Sequence, residues 1–259
     1  MKFHRLLSTG LRFENIDKRY GGIYALRRVT LEIVAGECVA LAGRNGSGKT
    51  TLLRVAAGLV RPTAGKVTAI GAWIGTTVGG DVQVESKPAP LTAKGAAPRE
   101  LDLDGLRPGY VAHATMVYDE LTAWENLLLF GKLQGVERPA ERAEELLSDV
   151  GLMERRDSLV RTFSRGMRQR MAIARALIHR PEMLLLDEPA TGLDPVGVSW
   201  LAETVKRLKN DGCTILMSLH GESEISAIAK RAVRLDAGSV VGDTKAGDTI
   251  DSIFRFGNG

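Results

Sequence analysis

The chain has 259 residues and a mass of 27.9 kDa, with 44% hydrophobic and 25% charged residues, enough to bury a sizeable core and ordinary for a globular protein. A net charge of +4 and a pI near 9.1 suit a surface lying beside a membrane and are too weak to argue for nucleic acid. Cys38 and Cys213 lie in apolar runs and read as buried free thiols, no run approaches the ~18 apolar residues of a membrane span, and the first seven residues lack a signal-peptide core, so a cytosolic location is expected.

In chain order, residues 11–16 and 29–33 read as strands, with a turn at Tyr20-Gly21-Gly22 between them and half-buried alternation in the second. Residues 35–37 turn into the apolar run 38–42. There follows Gly43-Arg44-Asn45-Gly46-Ser47-Gly48-Lys49-Thr50, and then a helical pattern from Thr51. Strand, glycine-rich turn and helix in this order fit a phosphate-binding loop: the glycines let successive N–H groups point inward, and the helix N-terminus adds partial positive charge. Lys49 would reach the β and γ phosphates and the Thr50 hydroxyl would sit on magnesium.

Residues 58–65 stop the helix and turn, and 66–70 form a further expected strand. Residues 71–107, rich in Gly, Ala, Pro and Thr, read as a long surface excursion with one short strand at 82–84. Order resumes at 106–113. Residues 121–152 read as helical: a first helix opens on a cap at Thr122 with Glu125 three residues on, and a second carries Ala140, Ala143, Leu146, Leu147 and Val150 on one face, with acids and arginines on the other. A helix from the 163–167 segment runs through Gln169, Ala172, Ala176 and Leu177 to a stop at Arg180-Pro181.

Residues 183–188 are a buried strand ending in Asp187 and Glu188, residues 196–210 are helical, and 213–219 form another buried strand ending at His220. Strands alternating with helices imply an α/β fold with a mainly parallel sheet covered on both faces. Ligands in such sheets bind beyond the strand C-termini, where Gly43, Asp187 and His220 fall. Downstream of a phosphate loop, Asp187 would hold magnesium directly or through water, and Glu188 would polarise an attacking water.

With these residues in view the chain resembles the ATP-binding cassette ATPases, the motor subunits of ABC transporters, over about residues 13–241. Residues 43–50 match the Walker A loop, extended by Thr51 as a further nucleotide contact, and 184–188 the Walker B strand with its catalytic Glu. Residues 163–167 align with the Leu-Ser-Gly-Gly-Gln signature and 168–177 with its helix. Tyr20 matches the aromatic residue that stacks on adenine, Gly192-Leu193-Asp194 the D-loop, His220 the switch histidine contacting the γ-phosphate, and His113 the Q-loop residue near magnesium.

The resemblance implies a P-loop NTPase core (30–70 and 160–241), a small antiparallel β subdomain, an inserted α-helical subdomain at about 115–160, and a tail at 242–259. Its ligands would be ATP and Mg2+. Catalysis would rest on Lys49, Glu188 and His220, with Ser164 and the Gly166 backbone serving the nucleotide of a second copy in an ATP-bound homodimer. The expected partners are transmembrane permease subunits, with no nucleic acid and attachment to the cytoplasmic face through the partner.

Two departures stand out: Arg165 and Met167 replace a small residue and the Gln of the signature, and His113 replaces the Q-loop Gln. Arg165 is free to pair locally or to touch the partner. The segment from Ala112 to Leu127 is similar to the branch that powers the haem exporter of cytochrome c maturation, and related drug and polysaccharide exporters share most of it. Arginines 155, 156, 161, 165, 168 and 170 form either a docking patch for a membrane subunit or a solvated charged face. The rival readings are a soluble cassette ATPase acting on DNA or the ribosome and a non-cassette P-loop kinase or GTPase. The first usually carries a coiled-coil insertion or a second cassette, and the signature helix argues against the second.

Overall fold

A computed structural model describes residues 9–71, 100–101, 106–219 and 228–244. The expected strand at 82–84, nearly all of the excursion, His220 and the tail beyond Thr244 lie outside the described residues.

Two sheets organise the chain. β1 (Thr9–Tyr20) and β2 (Ile23–Ile33) form one long antiparallel hairpin where two short strands were expected, and β4 (Ala64–Gly71) and the two-residue β5 (Glu100–Leu101) extend it in the order β2-β1-β4-β5. The second sheet has six strands in the order β10-β9-β3-β8-β7-β6. Here β3 (Cys38–Ala42), β6 (Gly109–Val111), β7 (Met183–Asp187), β8 (Thr214–Ser218) and β9 (Arg231–Asp236) run parallel, and β10 (Ser239–Asp243) is antiparallel to β9. The last two strands carry no signal that the sequence reading used.

Strand alternation splits the core in two. On one face of the large sheet Val39, Leu41, Leu185, Leu216 and Val233 pack with α1 (Lys49–Ala56) and with Phe13, Ile16, Leu26 and Val29 of the antiparallel sheet. On the other, Cys38, Ala40, Ala42, Leu184, Leu186, Ile215 and Met217 meet α4 (Arg165–Leu177) and α5 (Pro195–Asn210). Because side chains point to opposite faces at every second residue, a continuous apolar run such as Met183-Leu184-Leu185-Leu186 is what a strand covered on both faces requires. Each fully buried leucine contributes roughly 1.5–3 kcal/mol.

The helical stretch after β6 is two helices, α2 (Ala123–Leu133) and α3 (Pro139–Asp149), broken at Gly135, whose φ of 68° no ordinary helix residue adopts, and restarted by Pro139 at the first turn. The capping box is present: Thr122 Oγ1 accepts from the Glu125 amide at 3.1 Å, and the Glu125 carboxylate accepts from the Thr122 amide at 2.8 Å. On α3, Ala143, Leu146, Leu147 and Val150 are buried as the periodicity demands, whereas Ala140 is exposed, because it stands in the first turn before the helix meets its neighbours.

Most of the arginines in question are engaged by their own chain. Arg168 binds Asp119 at 2.6 Å, Arg161 binds Glu120 at 3.3 Å, Arg156 binds Glu144 at 3.0 Å and lies over Trp124, and Arg170 donates to the Val150 carbonyl. These pairs are spent on holding the helices together, which favours the solvated structural face over a free docking patch.

Candidate functional site

The C-terminal ends of β3, β7 and β8 open on one edge, and each delivers a functional group there. After β3 the chain turns through Gly43, Gly46 and Gly48, with φ of 149°, 79° and 109°. The first of these is also sterically obligatory: a side chain at Gly43 would collide with the Leu235 carbonyl and the Ser47 hydroxyl. Gly48 caps α1, and a Cβ there would lie 2.7 Å from the Ala25 carbonyl, so the β1–β2 hairpin packs against the loop itself.

Lys49 is 5% exposed. Its ammonium donates to the carbonyls of Gly43 at 2.7 Å and Arg44 at 3.0 Å, so the loop closes on its own lysine. Burial pulls the Lys49 pKa below its ordinary value, and the charges of Glu188 and Asp187 push the other way. The Ser47 hydroxyl is buried among these groups with no hydrogen-bond partner in the protein. An orphaned buried hydroxyl in a glycine-rich loop beside a buried lysine is what a phosphate oxygen would satisfy, so the loop fits a nucleoside triphosphate. Arg44, Asn45 and Gly46 form its exposed rim, and Thr51 is half-buried on α1.

Thr50 Oγ1 donates to Asp187 Oδ1 at 3.2 Å, joining α1 to the end of β7. Asp187 is 2% exposed. No cluster of three or more His, Cys, Asp or Glu side chains able to hold a metal occurs among the described residues. A hydroxyl and a single carboxylate suit Mg2+, which keeps several waters and takes the rest of its ligands from substrate phosphates.

Ser218, at the end of β8, escaped the sequence reading. It stands opposite Asp187 in the parallel register, donates to Asp187 Oδ1 at 2.8 Å and accepts from the Glu188 amide at 2.9 Å. One hydroxyl thus holds the Asp187 carboxylate and the backbone of Glu188. The available signal was a polar residue in an otherwise apolar strand, but its partner is 31 residues away. Ser218→Ala is expected to lower ATP turnover by about tenfold, the scale of misplacing a reacting group by a fraction of an ångström, while leaving nucleotide affinity within about twofold; equal loss of both in a steady-state titration would show that it merely supports the fold.

Glu188 has φ of 52°, a left-handed conformation for a residue without glycine's freedom. Such strain costs of order 1–3 kcal/mol and gathers at functional sites. The turn it starts is fixed by Thr191 N donating to the Glu188 carbonyl at 3.0 Å, and by Gln169 Nε2 of α4 donating to the Pro189 carbonyl at 2.9 Å. His113, two-thirds exposed just beyond β6, places Nδ1 3.8 Å from Glu188 Oε2. The Q-loop position therefore reaches the carboxylate itself.

Ser164 and Gly166 stand at the start of α4, where a Cβ on Gly166 would lie 3.8 Å from the Gly192 carbonyl. Ser164 is the N-cap of α4, its Oγ accepting from the Met167 amide at 3.2 Å, and it is exposed. Asp194, also exposed, caps α5 through the Gly197 amide at 2.8 Å. Tyr20 is 49% exposed at the hairpin tip with the Lys18 ammonium 5.0 Å from its ring centroid. A flat exposed ring there is available to stack on a base.

A glycine-rich loop with its lysine, a Walker B carboxylate pair and a serine-capped signature helix define a P-loop ATPase of the cassette type. The chain belongs to the ABC transporter family, which residues 26–191 match. It is 34% identical over 233 residues to the linearmycin resistance ATP-binding protein LnrL of Bacillus subtilis (strain 168), covering 89% of this chain and 68% of the relative. It is likewise 34% identical over 260 residues to the daunorubicin resistance ATP-binding protein DrrA3 of Streptomyces coeruleorubidus, covering 96% and 75%. Among solved structures it superimposes on a dimeric ATP-binding cassette bound to ADP and phosphate in a post-hydrolysis state, with a TM-score of 0.73, 27% identity, and coverage of 92% of this chain and 100% of that one. It is thus an ABC-type ATPase.

Proposed function

We propose that this chain is the ATP-hydrolysing subunit of an exporter that moves an organic small molecule of the antibiotic class. The observation that carries it is the meeting of Lys49, Thr50, Asp187 and Glu188 at one sheet edge, bridged by the Thr50 and Ser218 hydrogen bonds to Asp187. Catalysis is electrostatic positioning: the 43–50 loop and Lys49 hold the phosphates, Thr50 and Asp187 hold Mg2+ with His113 beside them, and Glu188 takes the proton of the attacking water. Mg2+, when bound, neutralises charge on the β and γ phosphates.

Tyr20 stacks on the base, and His220 contacts the γ-phosphate. Ser164, Gly166 and Asp194 complete the site of a second copy, a reading supported by the exposure of Ser164 and Asp194 and the half-burial of Gly166. The dimeric form of the matched cassette supports a pairing of two copies. The ATP-binding domain spans 11–241, with the helical insertion at about 115–160. No described helix is long and apolar enough to cross a membrane; the chain works on the cytoplasmic face through permease subunits.

Haem as cargo rests on the similarity of the 112–127 segment to one branch, while the linearmycin and daunorubicin resistance proteins support drug-type export more strongly. The test is a tagged pull-down from gently solubilised native membranes with mass spectrometry of the partners and an absorbance scan. Recovery of a polytopic permease without haem absorbance is expected. Cytochrome-maturation subunits with a haem spectrum would overturn the cargo assignment, and recovery of soluble or nucleic-acid partners alone would overturn the transporter reading.

A further inference from the structure

Arg165 departs from the family signature, and its side chain has a definite seat. Gly192 has φ of 85°, and a Cβ built on it would lie 2.5 Å from Arg165 Cδ and 2.8 Å from Arg165 Cγ. The Cγ, Cδ and Nε atoms of Arg165 therefore lie against the Gly192 backbone, and a side chain at 192 would push them away. Four residues along the same face of α4, Gln169 holds the Pro189 carbonyl at 2.9 Å. The helix thus grips the 188–194 turn at both ends. Within that turn, Thr191 N donates to the Glu188 carbonyl and Leu193 N to the Ala190 carbonyl, so a shift at Gly192 passes directly to Glu188. The same residues, Arg165, Gln169, Glu188 and Thr191, line a cavity of about 300 Å3 together with His113 and Arg168.

We infer that Arg165 is a positioning residue for the catalytic turn of its own chain: packed across Gly192, it fixes the start of the signature helix against the turn that carries Glu188 and Asp194. The inference rests on the ATPase reading of that turn. It assigns Arg165 a contact within the chain, where the sequence left open a local contact or one to the partner. The contact is made by Cγ, Cδ and Nε together, so a lysine, which keeps a chain of that length, preserves most of it.

The test is steady-state hydrolysis of Mg2+-ATP by the full chain in four variants. Arg165→Ala is expected to lower kcat about tenfold with KM within about twofold, the pattern of a misplaced reacting group, and Arg165→Lys, which keeps the stem, to restore kcat to within about threefold of the parent. Gly192→Ala should cost about 100-fold in the parent but only about fivefold when added to Arg165→Ala, because the collision is gone and only the positive-φ strain remains. An unchanged kcat in Arg165→Ala, or the same Gly192→Ala factor in both backgrounds, would overturn the inference. So would Lys and Ala variants that both show a raised KM, which would mean a contact to nucleotide. A parent chain that binds no ATP in equilibrium dialysis would instead defeat the ATPase reading beneath it; normal parental turnover without the coupling defeats this inference alone.

Discussion

Glu188→Gln is expected to leave ATP binding intact and to lower turnover by about 10²–10⁴-fold, the range for loss of a positioned general base. Gln keeps the length and shape of the side chain and the amide that Ser218 Oγ accepts from, so the left-handed backbone at φ 52° and the turn behind it are undisturbed. Only the proton acceptor is removed. With hydrolysis blocked, ATP and Mg2+ should hold two copies together, and size-exclusion chromatography should show a dimer that the parent chain loses as it turns over. A variant that stays monomeric with ATP, or hydrolyses at the parental rate, would remove Glu188 from the chemistry. The substitution also takes away one of the two carboxylates that raise the Lys49 pKa, leaving Asp187 as the remaining one.

Lys49→Ala should have the other large effect, a fall in ATP affinity of more than about 100-fold, since a charge-assisted contact to phosphate is lost together with the organisation of the loop. In the present geometry the ammonium is the donor to two carbonyls, Gly43 and Arg44, in a site closed to water. Deleting it leaves the Gly43 carbonyl without that donor, at about 1–3 kcal/mol where water cannot enter, while the Arg44 carbonyl keeps the Ser47 amide at 3.1 Å, so the loop loosens before nucleotide arrives. Fluorescence titration with a labelled ATP analogue, alongside thermal unfolding, separates the two consequences. Unchanged affinity would contradict the assignment of 43–50 as the phosphate site, whatever happens to stability.

Much of this site was legible because its signals are local. The eight residues from Gly43 to Thr50 carry their own turn geometry, and β3, β7 and the body of β8 announce themselves as apolar runs of the length that a doubly covered strand needs. The Thr122 cap was readable for the same reason, since its partner lies three residues away. By contrast, the point at which the two helices expected over 121–152 part was not placed, because the positive φ of Gly135 has no periodic signature. The hairpin was also longer than its alternation suggested, because register shifts between Phe13 and Arg19 interrupt the pattern.

The sequence by itself determined the order of elements up to β8, the phosphate loop, the acidic end of β7 and the family, since these depend on residues close along the chain. Only the tertiary structure decided which groups hold the Asp187 carboxylate and the Glu188 backbone. Ser218 reaches Asp187 and Glu188 because β8 lies beside β7 in parallel register, and parallel neighbours are joined by crossovers whose endpoints no local pattern records. Arg165 meets Gly192, and Arg168 meets Asp119, because α4 packs between two distant turns. Such contacts form when the buried faces of helix and sheet close on each other, so their partners are set by packing rather than by sequence spacing.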